Sequence, residues 1–484
     1  MIESPLLKHL QGYIDGEWAS GDSGKTFPVT NPANGEVLAE AASMGPDETT
    51  RAIEAAERAL KVTTPLEQRR HWLHRIDEVL RENREEIGRI LTLEHGKPWK
   101  EAQGEVDYAA GFFAFCAEHV GLLKPYTLDE KPRGLNWTVH HRPAGVVGLI
   151  TPWNFPIGMI AKKLSAALAA DCPSVIKPSS KTPLTMIALF TLLDEQLDLP
   201  KGKVNLVMGP AGPISDRMCE HPALRMISFT GSTAVGKELI RKSADQVKRL
   251  ALELGGNAPY IVFADADLDA AADNLMANKF RGGGQTCVCS NRILVQREVA
   301  EAFAQKVAER VDKLTVGDGM AEGTDIGPLI DERGYNKVRR HLNDALEKGA
   351  MAVTGGDPGE WNPKKGAFFP PTVVRGVATN MLATQEETFG PFVPIMEFDT
   401  EEEAIERAND TEFGLAAYLF TADEARAERV IAGLQFAHVG HNTGSGPTPE
   451  APFGGLQQSG YGRVGGPEGL VEVVGQAAGQ HAHG

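Results

Sequence analysis

Gly145-Val146-Val147-Gly148-Leu149-Ile150-Thr151-Pro152-Trp153-Asn154-Phe155-Pro156 passes from an apolar strand pattern into a polar, proline-broken turn. The same grammar recurs downstream, with apolar runs at 174–176, 203–207, 226–229 and 249–252 separated by helical segments. Alternation of this kind implies parallel strands joined by right-handed crossovers, with ligands at the carboxyl ends of the strands. Those ends carry suggestive residues: Thr151 to Pro156, then Lys177-Pro178-Ser179-Ser180, then Thr230 to Lys237, then Glu253-Leu254-Gly255-Gly256.

Gly231-Ser232-Thr233-Ala234-Val235-Gly236-Lys237 has the spacing of a phosphate-binding P-loop, but Glu238 stands where a hydroxyl would hold magnesium. A nucleoside-triphosphate hydrolase is disfavoured by that carboxylate. Thr233 at the second glycine position also breaks the Gly-x-Gly-x-x-Gly dinucleotide pattern. What survives is a strand, a tight turn and a helix N-terminus, which can hold a pyrophosphate or be a plain connection.

A second alternating region runs from Pro259 to about Phe436, with strands at 293–295, 393–398 and 415–420 and helices near 298–313, 332–348, 401–409 and 423–433. Inside it lies Phe280-Arg281-Gly282-Gly283-Gly284-Gln285-Thr286-Cys287-Val288-Cys289. Three glycines running into a thiol let the backbone approach a ligand closely and present amide N–H groups. Both a nucleophile and a buried structural cysteine fit that setting. A cofactor-free cysteine hydrolase would need a paired histidine, and none lies near Cys287 in the sequence.

The 484 residues are too many for one ordinary core. Apolar content of 42% with 24% charged residues describes a globular chain. A net charge of −16 argues against nucleic-acid or anionic-membrane partners, and the longest apolar runs, such as 184–193, are too short to span a bilayer. Five cysteines, an odd and small number, and a start without a signal pattern lead us to expect a reduced, cytoplasmic setting. No metal site is expected.

Residues 12–44 read as short strands around turns such as Asn34-Gly35. Thr64-Pro65-Leu66-Glu67 reads as a helix start with Thr64 as the cap, continuing through Leu73, Ile76, Leu80, Ile87 and Leu91 and packing on a sheet. Segments 136–141 and 469–474 read as alternating strands, and the tail 477–484, with His481 and His483, as loose.

Taken together, Thr151 to Pro156, Phe229-Thr230-Gly231-Ser232, Leu252 to Gly256, Gly284-Gln285-Thr286-Cys287, Glu386-Glu387-Thr388-Phe389-Gly390-Pro391 and Pro452-Phe453-Gly454-Gly455 resemble, in order and spacing, the aldehyde dehydrogenase superfamily. The resemblance implies an α/β fold with two Rossmann-like open-sheet domains, one binding cofactor (1–123 and 144–252) and one catalytic (253–436). It further implies small oligomerisation strands (124–143 and 464–476) of a homodimer or homotetramer, and a return segment at 437–463.

By the same resemblance Cys287 attacks an aldehyde, Asn154 and the Cys287 N–H hold the oxyanion, and Glu253 activates water. Thr151, Trp153, Lys177, Ser180, Gly231, Ser232, Glu387 and Phe389 would line the cofactor. A hydroxyl at Ser180, with Lys177 close, replaces the glutamate that favours NAD, so NADP is expected, with NAD or dual use open. A chain that lost the activity would be expected to lose Cys287, Glu253 or Asn154, and all three are present.

The Lys279-Phe280-Arg281 run before Cys287-Val288-Cys289 is similar to the succinate-semialdehyde dehydrogenase branch. That similarity implies that Arg281 binds a distal carboxylate, although pairing with a protein acid is the alternative. Lys162 matches the branch's second arginine, Thr448 approximates its hydroxyl residue, and Phe453 lies in the final motif. A larger or neutral aldehyde is the alternative substrate. Cys289 matches a position that can form a reversible disulfide with the nucleophile, and an inert buried cysteine fits equally.

Overall fold

A computed structural model describes residues 2–130, 134–362 and 365–481. His483 and the rest of 482–484 lie outside the described residues.

The alternation that begins at Val146 builds an eight-stranded sheet. Five central strands are parallel, in spatial order Val204–Leu206, Ser174–Lys177, Val146–Ile150, Leu224–Thr230, Arg249–Glu253. Chain order reverses beside Val146–Ile150, which opens a crevice at the carboxyl ends of that strand and of Leu224–Thr230. The short N-terminal strands Gly12–Ile14 and Glu17–Ala19 extend one edge, and Gly460–Tyr461 closes the other against Arg249–Glu253. Thr26–Thr30 and Val37–Ala42 form a separate hairpin.

A seven-stranded sheet follows, whose parallel strands run in the order Thr372–Arg375, Phe392–Phe398, Ser290–Gln296, Ala258–Val262, Ala416–Phe420, His438–His441. Both faces of each sheet are buried by separate apolar clusters. Only four residues separate Glu253, at the end of the first sheet, from Ala258, where the second begins. The carboxyl ends of one sheet therefore face the amino ends of the other.

Several sequence expectations need correction. The helical stretch from residue 66 is two helices, Leu66–Glu82 and Arg84–His95, broken at Asn83. Both pack on the Trp99–His119 helix, the first also on Pro156–Ala169 and the second on Leu184–Gln196, rather than directly on a sheet. Pro65 occupies the cap position and the Thr64 N–H is taken by Asp171, so Thr64 does not cap. Segment 469–474 is the end of a helix, Gly466–Glu472, because Pro467 at its start and Glu468 in its first turn favour helix over the weak alternation.

As far as His481 the tail is not loose. Val474–His481 is a strand paired antiparallel along its whole length with Asn136–Pro143, itself paired with Tyr126–Thr127. A partner strand far away in sequence orders it. The Trp99–His119 helix and the turn after it are long and apolar enough, by length and composition, to cross a membrane. Here the helix is packed against its neighbours, with Phe112, Phe113 and Phe115 buried.

Candidate active site

The turn after Val146–Ile150 places Asn154 just before the Pro156–Ala169 helix, where proline at the first position fits the helix start. Asn154 is 4% exposed, its Nδ2 donates to the Gln285 carbonyl over 2.9 Å, and its Oδ1 has no partner. Gln285 closes the glycine turn whose Gly282, Gly283 and Gly284 all have positive φ (58°, 66° and 77°), a conformation that a side chain would strain. Cys287 follows two residues later, partly exposed. Gly256 passes so close that a Cβ there would lie 2.5 Å from the Cys287 carbonyl oxygen. Gly256 and Gly284 are thus needed for close approach, and Gly282 and Gly283 for their backbone conformation.

Asn154, Cys287, Trp153, Gly231, Ser232, Glu387 and Phe389 line one groove of about 340 Å³. Trp153 and Phe389 meet edge to face at 5.6 Å. Ser232 caps the Thr233–Ser243 helix by accepting from the Val235 N–H, leaving a helix N-terminus at the groove. Glu387 Oε1 accepts from the Gly256 N–H at 3.2 Å, and burial raises its carboxyl to about 7 against the opposing charge of Lys337.

Glu253 sits behind this wall. Its Oε2 accepts from Lys163 Nζ at 2.9 Å and from Thr230 Oγ1 at 2.5 Å, while Oε1 has no hydrogen bond and lies 3.9 Å from Lys162 Nζ. Burial alone would raise the carboxyl, but Lys163 and then Lys162 overcome it and hold it at about 2. Burial pushes the Cys287 thiol up to about 12, with Lys162 pulling the other way.

Some expected residues lie elsewhere. Lys177 Nζ donates to the Pro178 carbonyl and Ser180 Oγ to the Gly209 carbonyl, so neither faces the groove. Its cations are instead Lys181, Arg333 and Lys337. Lys181 pairs with Asp331 across the groove. Thr151 is buried beneath the turn with its hydroxyl unpartnered.

Arg281 faces a second cavity of about 260 Å³, lined by Thr286, Val288, Ser445 and Gly446 among others. Its guanidinium stacks on Phe155 at 4.8 Å, and among the described residues no carboxylate forms a salt bridge with it. Thr448 is exposed and does not line this cavity; within its loop Ser445 is the hydroxyl residue that does. Lys162 is enclosed by Tyr108, Phe112 and Phe453, whose ring centroid is 4.6 Å from Nζ. Cys289 is buried, burial raises its thiol, and its Sγ is directed at the Lys279 and Ser290 carbonyls. All five cysteines are free.

Sequence reasoning missed Lys163, although a signal existed. Two adjacent lysines in the otherwise apolar Pro156–Ala169 helix must each be matched by an acceptor or anion.

Comparison with known proteins gives a consistent result. The family model described as "Aldehyde dehydrogenase family" matches residues 18–476. The chain is 45% identical over 470 residues to the succinate-semialdehyde dehydrogenase [NADP(+)] GabD of Escherichia coli, covering 96% of each chain. It is 45% identical to the 3-sulfolactaldehyde dehydrogenase of Pseudomonas putida, over 98% of this chain and 97% of the relative. A crystal structure of an oxidoreductase from Marinobacter aquaeolei superposes with a TM-score of 0.97 at 64% identity, over 100% of both chains.

Proposed function

The chain belongs to the aldehyde dehydrogenase family, and from that premise we propose that it oxidises a short aldehyde bearing a distal anion, succinate semialdehyde first, to the carboxylic acid. The observation that carries the anion is Arg281, held on Phe155 in a cavity whose next lining residues, Thr286 and Val288, flank Cys287, and among the described residues no carboxylate forms a salt bridge with it. A fixed guanidinium recognises a carboxylate through two parallel hydrogen bonds.

The groove fits a nicotinamide dinucleotide. Gly231 admits a ligand where a Cβ would strike the Phe229 ring, the Ser232-capped helix offers amides to a pyrophosphate, and Glu387 is placed for ribose hydroxyls. Arg333 and Lys337, beside the Lys181–Asp331 pair, weight the groove towards the more anionic NADP, with NAD retained as a second cofactor. The bound nicotinamide supplies the hydride acceptor.

The remaining steps belong to this chain. The Cys287 sulfur bonds to the aldehyde carbon, its proton leaving to solvent or to Glu253, and the carbonyl oxygen becomes an oxyanion. Asn154 Nδ2, through the N–H that Gln285 does not hold, and the Cys287 N–H donate to that oxygen, where fixed dipoles are most effective. Loss of hydride re-forms the carbonyl as a Cys287 thioester. Glu253 takes a proton from water as the water oxygen attacks, the C–S bond breaks, and acid and thiol are released. Until that step Lys163 and Lys162 keep Glu253 ionised, and Lys162, enclosed against Glu253, serves this charge balance more directly than it serves the substrate.

The three-stranded sheet ending in Val474–His481 supports a homodimer or homotetramer, and five free cysteines suit a reduced cytoplasm. The test is kcat/KM for succinate semialdehyde and for butanal, each with NAD and NADP. A preference of about tenfold or more for the charged aldehyde, as one charge-assisted contact supplies, is expected, with NADP the better cofactor. Equal or reversed preference would favour the second reading, a larger or neutral aldehyde.

A further inference from the structure

The Trp99–His119 helix carries two carboxylates one turn apart, and each holds a different wall of the catalytic groove. Glu105 Oε1 accepts from the N–H groups of Ile157 (3.0 Å) and Gly158 (3.1 Å), in the first turn of the helix that follows Asn154. Its Oε2 pairs with Lys97 Nζ at 2.5 Å, and the same ammonium donates to the Asn154 main-chain carbonyl at 2.8 Å. Both side chains are 1% exposed. One turn earlier, Glu101 Oε2 accepts from the Gly282 N–H at 2.8 Å. Gly282 opens the left-handed turn that ends at Gln285, whose carbonyl accepts from Asn154 Nδ2. The contacts form a closed ring: Asn154, Lys97, Glu105, the helix, Glu101, Gly282, Gln285 and Asn154 again.

We propose that Glu101 and Glu105, acting with Lys97, are positioning residues that set the distance between the Asn154 amide and Cys287, and hence the geometry of the oxyanion site. The proposal rests on the roles given to Asn154 and Cys287 above. A turn of three consecutive glycines has no side chains with which to anchor itself, so the acceptor for its first N–H must come from another element. Oxyanion stabilisation is geometric, and a misplacement of about 1 Å costs on the order of 100-fold. A buried ion pair such as Lys97–Glu105 is a weak source of net stability compared with apolar packing. Its contacts, one to the Asn154 carbonyl and two to the helix beyond it, are all on the segment that carries the oxyanion donor.

The test compares Glu101→Leu, Glu101→Gln and Lys97→Met with the parent and with Asn154→Ala. Four readouts are taken: kcat, KM for NADP, thermal midpoint, and the rate at which iodoacetamide alkylates Cys287. Alkylation needs a thiolate but no oxyanion donor. The expected result is a 10- to 100-fold fall in kcat for Glu101→Leu and Lys97→Met, by the same geometric argument, with alkylation and KM within about twofold of the parent. Glu101→Gln, whose amide oxygen still accepts from Gly282, should recover most of the loss. Parent-like kcat in both Glu101→Leu and Lys97→Met beside an impaired Asn154→Ala would overturn the proposal, as would kcat, alkylation and thermal midpoint falling together. Unimpaired turnover by Asn154→Ala would remove the oxyanion assignment itself, and the proposal with it.

Discussion

Lys163 Nζ donates to Glu253 Oε2 over 2.9 Å, and the two side chains are 0% and 6% exposed. A buried carboxyl would ordinarily resist ionisation; here Lys163, helped by Lys162 and the Thr230 hydroxyl, reverses the burial effect and holds it at about 2. The folded value lies below the unfolded one of about 4.3. The pair's contribution to stability is therefore complete above that pH and is lost as pH falls towards 2. Lys163→Met leaves burial opposed by Lys162 and the Thr230 hydroxyl, so the acid limb of thioester hydrolysis should rise from below the accessible pH range into it. Single-turnover rates from pH 4.5 to 8 measure this: the parent should be flat and Lys163→Met should fall towards the acid end, and a flat profile in the variant would show that Lys163 does not set the titration of the base in that step.

Burial raises the Glu387 carboxyl to about 7, and Lys337 restrains the rise. The ionised form, with two charged oxygens, accepts from the ribose hydroxyls more strongly than the protonated acid does. KM for NADP should fall several-fold between pH 6 and pH 8, flattening once the carboxylate is fully formed. Glu387→Gln should abolish that slope and raise KM by about tenfold, the loss of one charge-assisted hydrogen bond. A slope that persists in Glu387→Gln would assign the titration to another group.

Cys287 is a thiol at neutral pH in this state, because burial lifts it to about 12 while Lys162 pulls it down. Its alkylation by iodoacetamide should rise about tenfold per unit from pH 7 to 9, since the thiolate is the reactive form. Lys162→Met removes the nearest helpful charge and should slow the reaction at every pH in that range. A plateau near pH 7.5 in the parent would mean that the thiolate is formed without help from substrate or cofactor.

The strands at 146–150 and 249–253 were legible because they are short apolar runs closed by turn residues, and their carboxyl ends bear the site for topological reasons that need no contacts. Asn154, Cys287, Glu387 and Phe389 were legible through motif spacing, and they share one groove. Side-chain direction was not legible. Lys177 and Ser180 occupy the expected turn, yet satisfy nearby carbonyls, while Lys181 and Arg333 face the groove from elements about 150 residues apart. The same limit applied to the tail. Nothing local in Gln476 to Gln480 marks a strand, and its order comes from a ladder with residues 136–143 more than 300 positions away. Thr448 shows the cost of matching a loop by eye, because Ser445, three residues earlier, is the one that meets Arg281's cavity.

Arg281 offers the sharpest separation between the activity and its substrate. Its guanidinium is oriented by Phe155 and by Tyr108, 5.9 Å from its ring, so it presents its donors to the cavity with little orientational freedom left to lose. A charged hydrogen-bonded contact is worth about 1.5–3 kcal/mol, which corresponds to roughly 10- to 150-fold in kcat/KM. Arg281→Met should lose that factor for succinate semialdehyde and leave butanal within about threefold. Arg281→Lys keeps the charge but not the fork, and should fall between the two. The loss should appear mainly in KM if the contact is equally strong in ground and transition states, and in kcat if the anchored carboxylate also aligns the aldehyde on Cys287. Equal losses on both aldehydes would make Arg281 a support of the Phe155 wall rather than a reader of substrate charge.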